Sequence, residues 1–245
     1  MRGTVGRFWL AWLAAAAGAA GGCSLFDEVG GGKLSFDLPP ANFQIDPADH
    51  RWWPSPPGGV PDVVCRGPAA LVSDCCQPPP PMNVVDCQEY PLGCDDDGMC
   101  ALAFDYDDAV SINLGRDVPA LQDQSGWILA QATVDGIDIA VPGADARADA
   151  GVAPLPLRTL GLYVAPQGAV SAGAAGAMFL ADIPWRSEPG HVDLSAQAQI
   201  ALSSFLMDFK TPFALILSTH VVVESGPVPT EAVTIKVTGR VKASF

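Results

Sequence analysis

The chain is poor in positive charge, in histidine and in tyrosine, and it has no apolar run long enough for an ordinary membrane-spanning helix. Its 13 lysines and arginines face 27 acids, for a formal net charge of −14. Only four residues are lysine (Lys33, Lys210, Lys236 and Lys242), and no basic stripe occurs along the chain. Such a surface repels phosphate backbones and anionic headgroups, which argues against nucleic acid as a partner.

Catalytic motifs are missing as well. There is no G-x-S-x-G, no S-x-x-K, no H-E-x-x-H and no glycine-rich phosphate loop. The histidines are His50, His191 and His220, and the close His–Asp pairs are Asp49-His50 and His191-Val-Asp193. Neither pair stands beside a nucleophile motif. Triads can be assembled from distant residues, so an exported hydrolase stays as a third reading. Glycosidase carboxylates cannot be singled out among 27 acids. The six cysteines after Cys23 include no C-x-x-C, which leaves a thioredoxin-like redox site without support.

What is present begins with the first 23 residues. Arg2 and Arg7 form a basic head, Phe8 to Ala20 a thirteen-residue apolar run, and Ala20-Gly21-Gly22 lead to Cys23. This is the layout of a secretory signal peptide over residues 1–22. The last four residues resemble the lipobox of bacterial lipoproteins, although Ala20 stands where that motif usually carries leucine. The resemblance implies that Cys23 is lipidated (palmitate among its acyl chains) and becomes the first mature residue. Losing Arg2 and Arg7, with no acid lost, moves the charge from −14 to −16. Residues 23–32 then read as a flexible tether.

Cysteine parity points the same way. Of seven cysteines, setting Cys23 aside leaves Cys65, Cys75, Cys76, Cys87, Cys94 and Cys100 within thirty-six residues. Six is the number for three disulfides, which an oxidising compartment permits. A segment this rich in proline, glycine and aspartate lacks the apolar surface to hold itself together, so 65–100 reads as a disulfide-rich insert. Connectivity stays open, except that the adjacent Cys75 and Cys76 are expected to take different partners.

Between Arg66 and Arg116 no lysine or arginine occurs, while nine acids do. Asp95, Asp96, Asp97, Asp105 and Asp107 are the candidate calcium ligands, because hard cations want several oxygens. Against this, the EF-hand spacing is not met. A solvated acidic turn explains Asp95-Asp96-Asp97-Gly98 equally through backbone preference.

The remainder reads as β-structure. Residues 33–64 hold opening strands and a proline-rich linker containing Trp52-Trp53, expected to cover the join between the insert and the sheet. Residues 101–245 form the main β domain. Leu102, Phe104 and Tyr106 alternate, and Asp135-Gly136 interrupts a long apolar strand as a hairpin turn or a bulge. Ala198, Ala201, Leu202, Phe205, Leu206 and Phe209 recur at helical spacing, predicting one amphipathic helix over 195–209 that is stopped by Thr211-Pro212. Phe213 to Glu224 and Glu231 to Phe245 alternate strongly and read as a two-strand ribbon with one wet side.

The expected fold is therefore all-β, antiparallel and sandwich-like, with one helix and the inserted disulfide module. The general layout resembles predicted lipoproteins of Gram-negative envelopes. It implies a non-catalytic envelope lipoprotein, a structural or binding module held to the membrane by its lipid, with an envelope protein or glycan as partner. Ser24, standing where some bacteria place an inner-membrane retention aspartate, points to the outer membrane. A calcium-stabilised adhesion or carbohydrate-binding domain is the alternative.

Overall fold

In the computed structural model the described residues are 32–47, 58–64, 89–95, 97–122, 129–140, 157–183, 190–224 and 232–245, with Pro54, Pro56 and Cys75. Along the chain run β1 (Lys33–Asp37), β2 (Ala41–Ile45), β3 (Leu92–Cys94), β4 (Cys100–Ile112), the single-turn helices α1 (Leu114–Asp117) and α2 (Pro119–Gln122), and β5 (Gln131–Ala140). They are followed by β6 (Leu157–Pro166), β7 (Met178–Ile183), β8 (Gly190–Asp193), α3 (Ala196–Met207), β9 (Phe213–Val223) and β10 (Val233–Ser244).

The strands form two antiparallel five-stranded sheets, as the alternation of apolar residues predicts. In the first, β10 is central. It pairs along one side with β5, which carries β8 on its far edge, and along the other with β1 and β2 in succession. In the second the order is β3-β4-β9-β6-β7. Alternate residues of facing strands meet between the sheets: Phe43, Ile45, Ile137, Ile235 and Val241 from one, Leu102, Ile112, Leu162, Phe213, Leu217 and Val221 from the other. Each such side chain contributes about 1.5–3 kcal/mol of transfer free energy.

Helix α3 sits where predicted. Ser195 is its N-cap, accepting from the Ala198 amide at 3.2 Å, and Ala198, Ala201, Leu202 and Leu206 are buried. It packs against β5 of the first sheet and β7 of the second, so it closes one side of the sandwich.

Two expectations are corrected. First, β9 and β10 do not pair; they belong to different sheets. Second, β9 has no wet side over its first half. Residues 167–177 fold back in successive turns and cover the outer surface of their own sheet, where Ala165, Ala214 and Ile216 form a second apolar cluster with Ala169 and Ala177. Of the two readings of Asp135-Gly136, the bulge holds: these two residues stand inside β5 opposite Arg240 alone, between the pairs Gly239↔Ile137 and Val241↔Val134.

The cysteine-rich stretch, at its described end, is built into the second sheet. Leu92–Cys94 pairs with Cys100–Leu102, and a Cys75–Cys100 disulfide ties the segment to the root of β4. Cys75 and Cys76 therefore do not bridge each other. Cys94 is also disulfide-bonded. Cys65, Cys76 and Cys87 lie outside the described residues, as do residues 1–31 with Cys23, and Trp52-Trp53.

Candidate functional site

The outward face of the first sheet is polar throughout, and register explains how it is assembled. Strand β10 turns Val233, Ile235, Val237, Val241 and Ala243 inward, which sends Lys236, Thr238, Arg240 and Lys242 outward. Their neighbours on this face are Lys33, Ser35 and Asp37 of β1, Thr133, Asp135 and Asp138 of β5, and His191 and Asp193 of β8. Three of the chain's four lysines thus share one face, with a comparable number of aspartates among them. Its cations come from residues some two hundred positions apart and are interleaved with Asp37, Asp135, Asp138 and Asp193, so the face is mixed in charge. The concentration of Lys33, Lys236 and Lys242 at alternating strand positions is the signal that marks it in the sequence.

His191 is the titratable centre of this face. Its Nδ1 lies 2.7 Å from Asp138 Oδ1, and its Nε2 lies 3.5 Å from Asp193 Oδ1. The hydrogen bond to Asp138, reinforced by the charges of Asp138 and Asp193, holds its pKa above the ordinary histidine value. Both ring nitrogens thus face a carboxylate. Gly136 makes room for it. A Cβ there would lie 2.4 Å from His191 Nε2, so the bulge glycine is required by the ring above it.

Two shallow clefts line the face around His191. One, of about 380 Å³, is bordered by Asp138, His191, Lys236 and Thr238. Another, of about 780 Å³, runs over Leu38-Pro39-Pro40, Thr238, Gly239 and Arg240 to α2. Among the described residues, the outward positions of β1, β10, β5 and β8 on this face carry no aromatic side chain.

The acids proposed for calcium are placed separately. Asp95 Oδ1 accepts from the amides of Asp97 (3.0 Å) and Met99 (2.8 Å), closing the β3–β4 turn in which Gly98 has φ of 75°. Asp105 faces His220, 2.8 Å from its Nδ1, on the outer surface of the second sheet. Asp107 accepts from the Ala172 amide at 3.4 Å. Among the described residues no three metal-ligating side chains gather; Asp96 lies outside them.

No protein-family model matches the chain, and no curated protein matches it. Among solved structures it is similar to one of turnip yellow mosaic virus (13% identity over 59% of this chain and 79% of that one, TM-score 0.23). Another is of Desmodium yellow mottle tymovirus (13% identity, 69% and 86%, TM-score 0.24). A third is a carbohydrate-binding module of the β-sandwich superfamily, at 6% identity over 84% of this chain and 55% of that one, with a TM-score of 0.24. Scores this low carry no argument about ligand or ancestry.

Proposed function

We propose that the chain is a lipid-anchored envelope protein whose sandwich presents a non-catalytic binding surface, the outward face of the β1/β2-β10-β5-β8 sheet. One observation carries the reading. In a chain of net charge −14, this face collects Lys33, Lys236, Arg240, Lys242 and His191, interleaved with Asp37, Asp135, Asp138 and Asp193, over shallow clefts. Charged and hydroxyl groups fixed on a rigid sheet suit recognition of a polar partner. The signal-like start and the cysteine parity support the anchor at Cys23, and the partner is an envelope protein or glycan.

The reading is tested in cells. A photo-crosslinking amino acid at position 238 captures an envelope component, while the same residue at position 204, on the exposed side of α3, does not. Equal capture at both positions overturns the assignment of the face. Labelled fatty acid enters the wild-type chain and not Cys23→Ala; label retained in the variant overturns the anchor.

A further inference from the structure

Lys33, Arg240 and Lys242 line one cleft that runs along β1, with Lys33 at the start of the strand and Arg240 opposite its last residue. Lys33 stands opposite Ser244, Ser35 opposite Lys242 and Asp37 opposite Arg240, so the three cations share the outward face of two adjacent strands. Arg240 does not engage Asp37, its direct neighbour. It leans diagonally, and its Nε donates to Ser35 Oγ at 3.1 Å. A guanidinium carries five N–H donors in one plane, so this bond fixes one of them and leaves the terminal N–H groups for a ligand. Lys242 is held by Asp135 at 2.5 Å. Among the described residues neither Arg240 nor Lys33 forms an ion pair.

These side chains border a cleft of about 710 Å³ that also receives Gln131 and Thr133 from β5. Three cations against the carboxylate of Asp135 leave the cleft at +2 within a chain of −14. Self-repulsion across the rest of the surface makes this concentration informative. A flat fork held by Ser35, an ammonium from the same strand and the Gln131 amide from β5 are groups that recognise a tetrahedral oxyanion.

We propose that this cleft is a phosphate-binding site, in which Arg240 and Lys33 take the phosphate group of an envelope ligand. The proposal deepens the binding-surface reading and rests on it, naming the chemistry that one cleft of the face recognises.

The experiment uses the full mature chain carrying Cys23→Ser, so that no lipid contributes, titrated with inorganic phosphate at low ionic strength and followed by NMR. The Arg240 Nε–H and the amides of Lys33 and Lys242 shift together and saturate in the millimolar range. Arg240→Gln weakens binding at least tenfold, Lys33→Gln weakens it severalfold, and Lys210→Gln, on another surface, leaves it unchanged. A second arm, co-sedimentation with vesicles of phosphatidylglycerol or phosphatidylcholine, separates the sources. Arg240-dependent retention on the anionic vesicles assigns the phosphate to a lipid headgroup, and phosphate binding without vesicle retention assigns it to a soluble phosphate ester. Equal affinity in wild type and in a folded Arg240→Gln, or shifts spread evenly to Lys210 and Arg116, overturns the site. Failure here leaves the crosslinking result at position 238 standing, so the two readings fail separately.

Discussion

Asp108 reaches from the second sheet to the edge of the first: its carboxylate accepts a 2.8 Å hydrogen bond from the backbone amide of Gln44. Two residues earlier on the same strand, the Tyr106 hydroxyl donates to the carbonyl of Gln44, also at 2.8 Å. Gln44 stands opposite Thr234 in the ladder, and its own amide and carbonyl turn away from β10. An edge strand with such groups unsatisfied invites pairing with another chain, and here β4 satisfies both. Tyr106→Phe and Asp108→Ala should each cost about 1 kcal/mol, lowering Tm by about 2–4 °C. Thermal unfolding measures it; an unchanged Tm in both variants would mean the edge is held by other contacts.

The covered outer surface of the second sheet makes a contrast with α3. Ile216 is fully buried, although it faces away from the sandwich interior, while Ile200 on α3 is 64% exposed. Ile216→Ala should cost about 2–4 kcal/mol, and Ile200→Ala no more than about 0.5 kcal/mol. Chemical denaturation of the two variants compares them directly. Equal, small losses would show that residues 167–177 do not cover β9.

His191 gives the protein a pH dependence with a definite sign. Its folded-state pKa is raised above 6.5, so its contribution is complete below that value and is lost as pH climbs through the raised one. The Tm difference between wild type and His191→Gln should therefore be largest near pH 6 and shrink on the alkaline side. A difference that grows with pH would contradict the Asp138 pairing.

Gly136 is the backbone counterpart of that histidine. In Gly136→Ala the new methyl would stand 2.9 Å from the Val192 carbonyl oxygen and closer still to the imidazole. The ring must leave its two aspartates, so the His191 pKa, read by NMR, should fall back toward the ordinary histidine value. A pKa that stays raised in the variant would show the ring is not seated over this glycine.

The Cys75–Cys100 bridge spans 25 residues and restrains the unfolded chain by about 3 kcal/mol in the loop-entropy account. Reduction should make the stretch before Cys100 protease-sensitive while the two sheets persist, as limited digestion with mass spectrometry would reveal. Alkylation of Cys75 or Cys100 in non-reduced protein would refute the pairing.

How far these features could be read beforehand depends on the range of the interactions that make them. Helix α3, with its cap at Ser195 and stop at Pro212, follows from spacing inside a short stretch of chain, and so do the alternations of β2, β4 and β10. The partners of those strands do not. Nothing local to Phe213–Val223 says that an alanine- and glycine-rich turn from 167–177 will cover it, or that the next strand will join the opposite sheet. At Asp135-Gly136 the phase change is visible, but the choice between bulge and turn is made by Arg240 across the ladder and by the His191 ring above. The wet side of β10 is legible in its alternation, but its neighbours on that face are not: Ser35 and Arg240 are 205 positions apart.

The central place of β10 has a consequence for timing. Strands β1, β2 and β5 take their main ladder partner from Val233–Ser244, so none of them can complete its pairing before that segment is present. The second sheet waits similarly, since β4 and β6 both pair with β9. Such non-local pairing makes for slow folding, with loop closure paid in entropy before contacts form. A nascent chain therefore cannot complete either sheet until β9 and β10, its last two strands, have been made.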